Sequence, residues 1–233
     1  MTVNPEQHDH EGHDHEGHDH EGHDHGGHNH EGHGHGGHDH GAGATWDERY
    51  AAGEWPTEPD PLLVELTGPL SPGRAVDLGC GTGRNAVWLA TAGWKVTGVD
   101  GSSVGLAQAG ERAGSLGASL DTVQADLAEY RPDPGAYDLV VVANIHLPTG
   151  ERDHLFAAAV EALAPGGHLY IVGHHLESLG LAGPPDPDRL YTEELLREAF
   201  GELHVVRLGR TGHGDTAERS TAGDVYLWAV RSV

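Results

Sequence analysis

The apolar positions divide this chain into two parts of different character. Residues 1–43 contain almost no apolar side chains, whereas apolar runs such as "DLVVVANI" and "LYIVG" recur from about Ala44 onward. A segment without apolar side chains cannot bury enough surface to offset the entropy that it loses on ordering. We therefore expect a disordered tail over residues 1–43 and one folded domain over residues 44–233, which is long enough for a sizeable core.

Strand-like and helix-like patterns alternate along the expected domain. Apolar, β-branched runs predict strands at "RAVDL", "KVTGVD", "ASLDTVQAD", "YDLVVVANI" and "HLYIVGHH", and helical periodicity predicts helices between most of them. Two more strands, "ELHVVRLG" and "DVYLWAVR", can form a hairpin, and two helices precede the first strand. Strands separated by helices predict a doubly wound α/β fold around a parallel sheet. In such folds ligands bind outside the carboxyl ends of the strands.

Charge and composition narrow the classes of partner. Asp and Glu outnumber Lys and Arg by 37 to 13, for a formal net charge of -24. Such a field repels nucleic acid and anionic membrane surfaces, so we expect a small-molecule partner and neither of those. Because the chain has a single cysteine, it cannot form an intrachain disulfide. Its first residues lack the basic region followed by an apolar region that would predict a secretory signal. We expect a cytoplasmic protein, and the sequence leaves its oligomeric state open.

A glycine-rich turn lies between the first strand and the helix that follows it, in "AVDLGCGTGRNAVWLA". Gly79, Gly81 and Gly83 let the backbone approach a ligand closely, and the following helix directs N–H groups toward that ligand. A dinucleotide site would read G-x-G-x-x-G, but Arg84 stands at the last position of that pattern. Because arginine is too large for close helix–strand packing there, the turn disfavours NAD.

Three carboxylates follow or flank the successive strand ends. Asp77 precedes the glycines, Asp100 ends the next strand, and Asp126 follows the third. Asp100 could accept both hydroxyls of a ribose, and Asp126 the amino group of an adenine. The three together predict a nucleoside ligand without phosphates. The alternative for each is that it caps the helix or turn after it.

These motifs resemble those of the class I S-adenosylmethionine-dependent methyltransferases. "VDLGCGTG" is similar to that family's cofactor motif, "VTGVD" to its ribose-binding strand end, "ADL" to its adenine contact and "APGG" to its post-strand turn. "WDERY", "GRNAVWLA" and "LYTEELLREAF" further resemble the tellurite-resistance and thiopurine-type small-molecule methyltransferases. The resemblance implies a Rossmann-like seven-stranded sheet with an antiparallel last strand, and S-adenosyl-L-methionine as the cofactor.

The resemblance also implies roles along the glycine turn. Asp77, Gly79 and Gly81 would hold the methionyl end of the cofactor, and Asp100 the ribose. Cys80 lies inside the motif, and we interpret it as a small packing residue among the cofactor-binding positions.

Further along, the resemblance places adenine and acceptor contacts at the next strand ends. Gly101 and Leu127 would flank the adenine, and Asp126 would bind its amino group. Ala143 and Asn144 end the fourth strand, where the family brings the cofactor toward the substrate.

The acceptor side offers fewer signals. Arg84 and Asn85 begin the helix that follows the glycine turn. We predict that both bind the cofactor, and from this position they could also reach an anionic acceptor. His146 follows the fourth strand, and His174 and His175 end the fifth, so these three are the candidate catalytic residues because histidine can act as a base near neutral pH. Alternatively, they are polar rim residues that hydrogen-bond to loop backbone.

Three functions compete on this evidence. The leading hypothesis is methyl transfer to a small molecule, with a thiol, metalloid or similar soft nucleophile favoured because a hydroxyl would need a general base. The second is a metal-storage or metal-delivery protein with a secondary nucleotide-binding domain. The third, an NAD-dependent oxidoreductase, is weakened by Arg84. Trp46, Tyr50 and Trp55 form either an N-terminal lid over the site or the ordinary packing of an added helix.

The expected tail is a histidine pentad repeat, H-x-H-x-G. Histidines two apart project to the same side of an extended chain and can chelate one ion, and neutral imidazole suits Ni, Zn, Cu and Co. The alternative is a solubilising repeat without a metal. The candidate metal ligands are His8, His10, His13, His15, His18, His20, His23, His25, His28, His30, His33, His35, His38 and His40.

Overall fold

The computed structural model of this chain describes residues 45–211 and 223–233. The expected tail over residues 1–43, with its candidate metal ligands, lies outside the described residues.

Within residues 45–211 and 223–233, seven strands form one mixed sheet in the order β3-β2-β1-β4-β5-β7-β6. Neighbours from β3 to β5 are parallel, while β7 runs antiparallel to both β5 and β6. The expected α/β sheet with an antiparallel last strand and a terminal hairpin is thereby confirmed. The strands are β1 (Arg74–Leu78), β2 (Lys95–Asp100), β3 (Leu120–Gln124), β4 (Tyr137–Ala143), β5 (Leu163–His174), β6 (His204–Thr211) and β7 (Asp224–Val230).

The strand order reverses between β1 and β4, because the chain builds outward from β1 to β3 and then returns to the other side of β1. At such a reversal the loops after the two central strands diverge and leave a crevice at the carboxyl edge. The glycine turn after β1 and the end of β4 therefore face each other across this switch point.

Helices flank the sheet, and their starts follow local capping. Thr45 and Glu48 form a capping box at the first helix, and the side chain of Asp60 accepts from two backbone N–H groups at the start of the second. No helix in the described ranges is both long and apolar enough to cross a membrane. The helices are α1 (Trp46–Ala52), α2 (Pro61–Thr67), α3 (Arg84–Thr91), α4 (Ser103–Ser115), α5 (Thr149–Ala162) and α6 (Glu193–Ala199).

The central strand β4 is buried on both faces, as its continuous apolar run predicts. Leu139 and Val141 pack in the core layer that α2 and α3 cover, whereas Val140 and Val142 pack in the layer that α5 and α6 cover. A strand that is covered on both faces has no solvent-exposed face, so polar residues do not alternate with the apolar residues of β4.

The start of β5 differs most from the sequence-based expectation. Strand β5 begins at Leu163, ahead of the predicted "HLYIVGHH", because Leu163 pairs with Tyr137 before an irregularity in the β4–β5 ladder. The "APGG" segment thus lies within β5 and not, as the resemblance implied, in a turn after a strand. Helix α1 ends at Ala52, since Gly53 at its carboxyl end is extended.

Candidate active site

The glycine turn after β1 has a backbone that only glycine adopts readily. Gly79, Gly81 and Gly83 have φ angles of 87°, 53° and 81°, which fall in the left-handed region. The N–H groups of Gly79 and Cys80 donate to the carbonyl of Val99 at 2.7 and 3.0 Å and fix the turn against β2. The turn is therefore fixed at the carboxyl edge of the sheet, with Ile145 packed against Gly79 and Tyr50 against Gly81.

Asp100, at the end of β2, holds this turn from the other side. Its Oδ2 accepts from the N–H of Gly81 at 2.8 Å, and its Oδ1 accepts from the N–H of Ser102 at 2.9 Å. Burial raises the pKa of this carboxyl, which is only 8% exposed. A carboxylate has about four acceptor positions, so these two bonds leave capacity for ribose hydroxyls. The capping alternative and the ribose role are compatible at this residue.

Asp77 lies on β1 beneath the turn and is fully buried. Burial raises the pKa of its carboxyl to about 7, although the positive charge of Arg84 opposes the shift. A cationic ligand group nearby would favour the ionised form. Asp77 is therefore a buried carboxyl directly beneath the glycine turn, whose ionisation depends on the charges around it.

Cys80 packs where the sequence interpretation put it. Its thiol is buried against Gly98 of β2, where a Cβ added to the glycine would lie only 2.9 Å from the Cys80 Sγ. Burial raises the pKa of this thiol. A neutral, buried thiol is a packing group and a poor nucleophile.

The predicted adenine contacts lie at the next strand ends. Asp126 is exposed, and its Oδ1 accepts from the N–H of Ala128 at 2.9 Å, so it does cap its turn. Leu127 reaches back to the glycine turn, because its Cδ1 would lie 3.3 Å from a Cβ at Gly79. Gly101 is exposed beside the end of β2, and its carbonyl accepts from the side chain of Gln124.

The end of β4 turns sharply beside the glycine turn. Asn144 adopts a left-handed φ of 58°, which asparagine tolerates, and its N–H donates to the carbonyl of Val172 at 2.8 Å. After Ala143 and Asn144, the side chain of Ile145 packs against Gly79. The structure therefore brings the end of β4 to the predicted cofactor turn.

Arg84 and Asn85 both contact Asp60, the residue that caps the start of α2. Asn85 is buried, and its Oδ1 accepts from the N–H of Asp60 at 2.9 Å. Arg84 lies 3.9 Å from Asp60 Oδ2, and the hydroxyl of Tyr170 on β5 donates to Asp60 Oδ1 at 3.0 Å. Asn85 thus ties α2 to α3, while Arg84 lies between Asp77 and the polar group of Asp60 and Tyr170.

Helix α1 covers the glycine turn. The Tyr50 hydroxyl would lie 2.6 Å from a Cβ at Gly81, and the Tyr50 ring packs against Gly105 of α4. Asp47 accepts hydrogen bonds from Ser102 and from the N–H of Val104. Trp46, Tyr50 and Trp55 cluster with ring centroids 4.9 to 6.2 Å apart. The cluster seats one aromatic ring on the turn itself and also packs α1 against α4, so both the lid and the packing alternatives stay open.

Two of the candidate catalytic histidines have both ring nitrogens engaged. His146 Nδ1 donates to the carbonyl of Arg189 at 2.9 Å, its Nε2 accepts from the N–H of His174 at 3.3 Å, and burial lowers its pKa to about 4. The buried His175 accepts from the N–H of Glu177 and contacts Glu193 at 3.1 Å each. Their geometry favours the alternative of loop-fixing residues.

His174 is held differently. Its Nδ1 lies 2.9 Å from Oδ1 of Asp224 on β7, and its ring stacks on His146 with centroids 5.0 Å apart. Sequence reasoning missed Asp224, whose role depends on the pairing of β5 with β7.

Comparison with known proteins agrees with this geometry. A family model described as "Methyltransferase domain" matches residues 75–167. The ribosomal RNA small subunit methyltransferase C of Alcanivorax borkumensis is 34% identical over 108 residues, covering 44% of this chain and 33% of that protein. The ubiquinone biosynthesis O-methyltransferase of Marinobacter nauticus is 32% identical over 103 residues, covering 42% of each. The chain thus spans less than half the length of these two curated relatives.

Solved structures share the fold. TehB from Haemophilus influenzae superposes with a TM-score of 0.60 at 22% identity, covering 73% of this chain and 61% of that one. Magnesium protoporphyrin IX methyltransferase from Synechocystis PCC 6803, with bound SAH, gives a TM-score of 0.57 at 26% identity and covers 73% and 79%. A family model for methyltransferase domains thus matches residues 75–167, and the described residues have the fold of the class I S-adenosylmethionine-dependent methyltransferases.

Proposed function

We propose that this protein transfers a methyl group from S-adenosyl-L-methionine to a small-molecule acceptor. The observation that carries the proposal is the glycine turn clamped by Asp100 at the switch point, with the buried Asp77 beneath it. This donor set fits a nucleoside with a cationic amino-acid end, because it offers carboxylates and glycine backbone. When bound, the cofactor supplies an electrophilic methyl group on a sulfonium sulfur.

The protein's own residues divide the remaining work. Asp100 and the turn would orient the nucleoside, while Asp77 would pair with the methionyl amino group. Tyr50 and its aromatic cluster would exclude water above the turn. Alignment and exclusion of water account for much of the acceleration of a displacement between two held groups.

For the acceptor we propose a thiol, metalloid or similar soft nucleophile. The support is a strongly acidic chain that disfavours nucleic acid, and a single arginine, Arg84, between the cofactor turn and the α2 contact. The test is a screen for transfer of labelled methyl groups to thiols, selenols, arsenite, tellurite, phenols and transfer RNA. Faster methylation of RNA than of every small acceptor would reject the proposal.

We further propose that the tail binds divalent transition metals, and that methyl transfer does not require it. The support is the H-x-H-x-G repeat, which supplies a chelating pair of imidazoles in each pentad. The test compares nickel and zinc titrations of the full chain with those of a chain that begins at Ala44. Equal binding by both would remove the tail as a metal site, and stoichiometric metal binding without any methyl transfer would favour metal storage.

A further inference from the structure

Helix α1 is held on the domain by polar contacts and aromatic rings. None of its seven residues, all of which the structure describes, is buried. A helix that buries no side chain gains little free energy from apolar packing, so it opens locally more readily than the core does. The contacts that hold α1 in place therefore decide how often it opens.

Tyr50 of α1 places its ring between the glycine turn and the first turn of α4. Its hydroxyl would lie 2.6 Å from a Cβ at Gly81, and two of its ring carbons would lie 3.0 Å from a Cβ at Gly105. Two glycines thus make room for one ring, and that ring covers the backbone that the cofactor would meet. A ligand that enters or leaves along Gly81 has to displace Tyr50, and α1 with it.

Asp47 joins α1 to the start of α4. Its Oδ1 accepts from the hydroxyl of Ser102 and, at 3.2 Å, from the N–H of Val104, while its Oδ2 accepts from the hydroxyl of Ser103 at 3.3 Å. Negative charge is favourable at a helix N-terminus, where the first N–H groups have no partner within the helix. The hydrogen bonds from Ser102 and Val104 hold the pKa of the Asp47 carboxyl below its usual value. At neutral pH the ionised carboxylate therefore fastens α1 to α4.

Ser102 connects this contact to the residue assigned to the ribose. The N–H of Ser102 donates to Asp100 Oδ1 at 2.9 Å, while its hydroxyl donates to Asp47. Asp100 in turn accepts from the N–H of Gly81, on which Tyr50 lies. The contacts thus form a closed path from α1 through Ser102 and Asp100 to the glycine turn and back to α1. Whatever orders Asp100 also orders the partner of Asp47.

We propose that Asp47 is a positioning residue that holds Tyr50 over the bound cofactor, and that opening of its contact with α4 sets the rate at which S-adenosylhomocysteine leaves. Asp47 acts through Tyr50 and has no part in the chemical step. Gln108 of α4 also donates to the carbonyl of Tyr50, at 3.1 Å, so loss of the Asp47 carboxylate should loosen α1 without detaching it. This inference rests on the proposed methyl-transfer function.

Release of S-adenosylhomocysteine from the full-length protein, followed by stopped-flow displacement, measures the opening. Contacts of a carboxylate with a helix start are of modest strength, so we expect Asp47→Ala to raise the dissociation rate constant about three- to tenfold. Glu54→Ala is the matched control, because Glu54 is an exposed carboxylate just beyond the end of α1, and it should leave the rate unchanged. An Asp47→Ala protein that releases S-adenosylhomocysteine as slowly as the wild type would overturn the proposal.

A double-mutant cycle separates positioning of Tyr50 from a general loss of stability. If Asp47 acts by holding Tyr50, Asp47→Ala should speed release by less than about twofold in a protein that already carries Tyr50→Ala. A general weakening of the fold would instead multiply the effects of the two substitutions, and that result would overturn the positioning role. Asp47→Asn, which keeps an acceptor but loses the charge, should release S-adenosylhomocysteine at an intermediate rate.

Hydrogen exchange of the amides of residues 46–52 tests the link between cofactor and helix without turnover. S-adenosylhomocysteine should slow this exchange in the wild type and slow it less in Asp47→Ala, because the ordering of Asp100 reaches α1 through Ser102 and Asp47. Equal slowing in both proteins would overturn that route. If the wild type does not bind S-adenosylhomocysteine, the proposed cofactor fails and the release role with it, whereas faster exchange in Asp47→Ala than in Glu54→Ala would still show that Asp47 holds α1.

Discussion

Replacing Asp100 with alanine tests the cofactor assignment at its most informative residue. The substitution removes the acceptor of two hydrogen bonds, from the N–H of Gly81 at 2.8 Å and from that of Ser102 at 2.9 Å. It also removes the expected pair of charge-assisted bonds to ribose hydroxyls. Loss of such a pair costs about 2 to 3 kcal/mol of binding free energy. We therefore expect the Kd for S-adenosylhomocysteine to rise about 30- to 150-fold.

The same change has a separate cost in stability. Gly81 and Ser102 are both buried, so their N–H groups lose partners, which lowers the free energy of unfolding by about 1 to 3 kcal/mol. For a domain of this size that corresponds to a Tm lower by about 2 to 12 °C. Binding must therefore be measured well below the Tm of the variant.

Isothermal titration calorimetry at 15 °C, after circular dichroism has confirmed folding, separates the two effects. Asp138→Ala is the matched control, because it also deletes a carboxylate that accepts a backbone N–H, from Arg74 at 2.8 Å, but at the opposite edge of the sheet. It should leave the Kd unchanged. A folded Asp100→Ala protein that binds S-adenosylhomocysteine as tightly as the wild type would refute the assignment of Asp100 to the ribose.

Three further predictions concern other parts of the molecule. Burial raises the pKa of Asp77 from 3.8 to about 7, so the folded state holds this proton more tightly than the unfolded chain. The free energy of unfolding should therefore fall as the pH rises from about 4 through 7. In urea unfolding, Asp77→Asn should show a flatter pH dependence than the wild type, and an unchanged profile would contradict the raised pKa. Tyr50→Ala should speed release of S-adenosylhomocysteine in stopped-flow displacement, whereas Tyr50→Phe keeps the ring on Gly81 and should behave like the wild type; identical release from Tyr50→Ala would exclude a lid. Nickel bound to the full chain should leave as the pH falls through about 6, because protonated imidazole cannot ligate, and nickel retained at pH 5 in equilibrium dialysis would point to other ligands.

The sequence predicted the glycine turn and the buried central strand because their signals are local. The glycines after β1 need left-handed dihedrals, and the run in β4 needs burial on both faces, so each residue type reports its own environment. Asp100 was recognised from its place at a strand end, next to the turn that it holds.

The acceptor half was harder because its contacts join distant segments. Asp224 lies 50 residues beyond His174 in the chain, and only the register of β5 with β7 makes them neighbours. The backbone partners of His146 and the contact of Asn85 with Asp60 likewise come from loop and helix placement. The residue types indicate that these side chains form hydrogen bonds, but they do not identify the partner of each side chain.

The position of β7 between β5 and β6 has a consequence for synthesis. A chain emerging from the ribosome can complete β1 to β5 and the glycine turn while one edge of β5 is still open, since that edge is filled only by Asp224–Val230. Open edges of sheets pair readily with other chains. The nascent protein would therefore acquire the glycine turn and Asp100 before it acquires the Asp224 partner of His174, and β7 both seals an aggregation-prone edge and completes that pair.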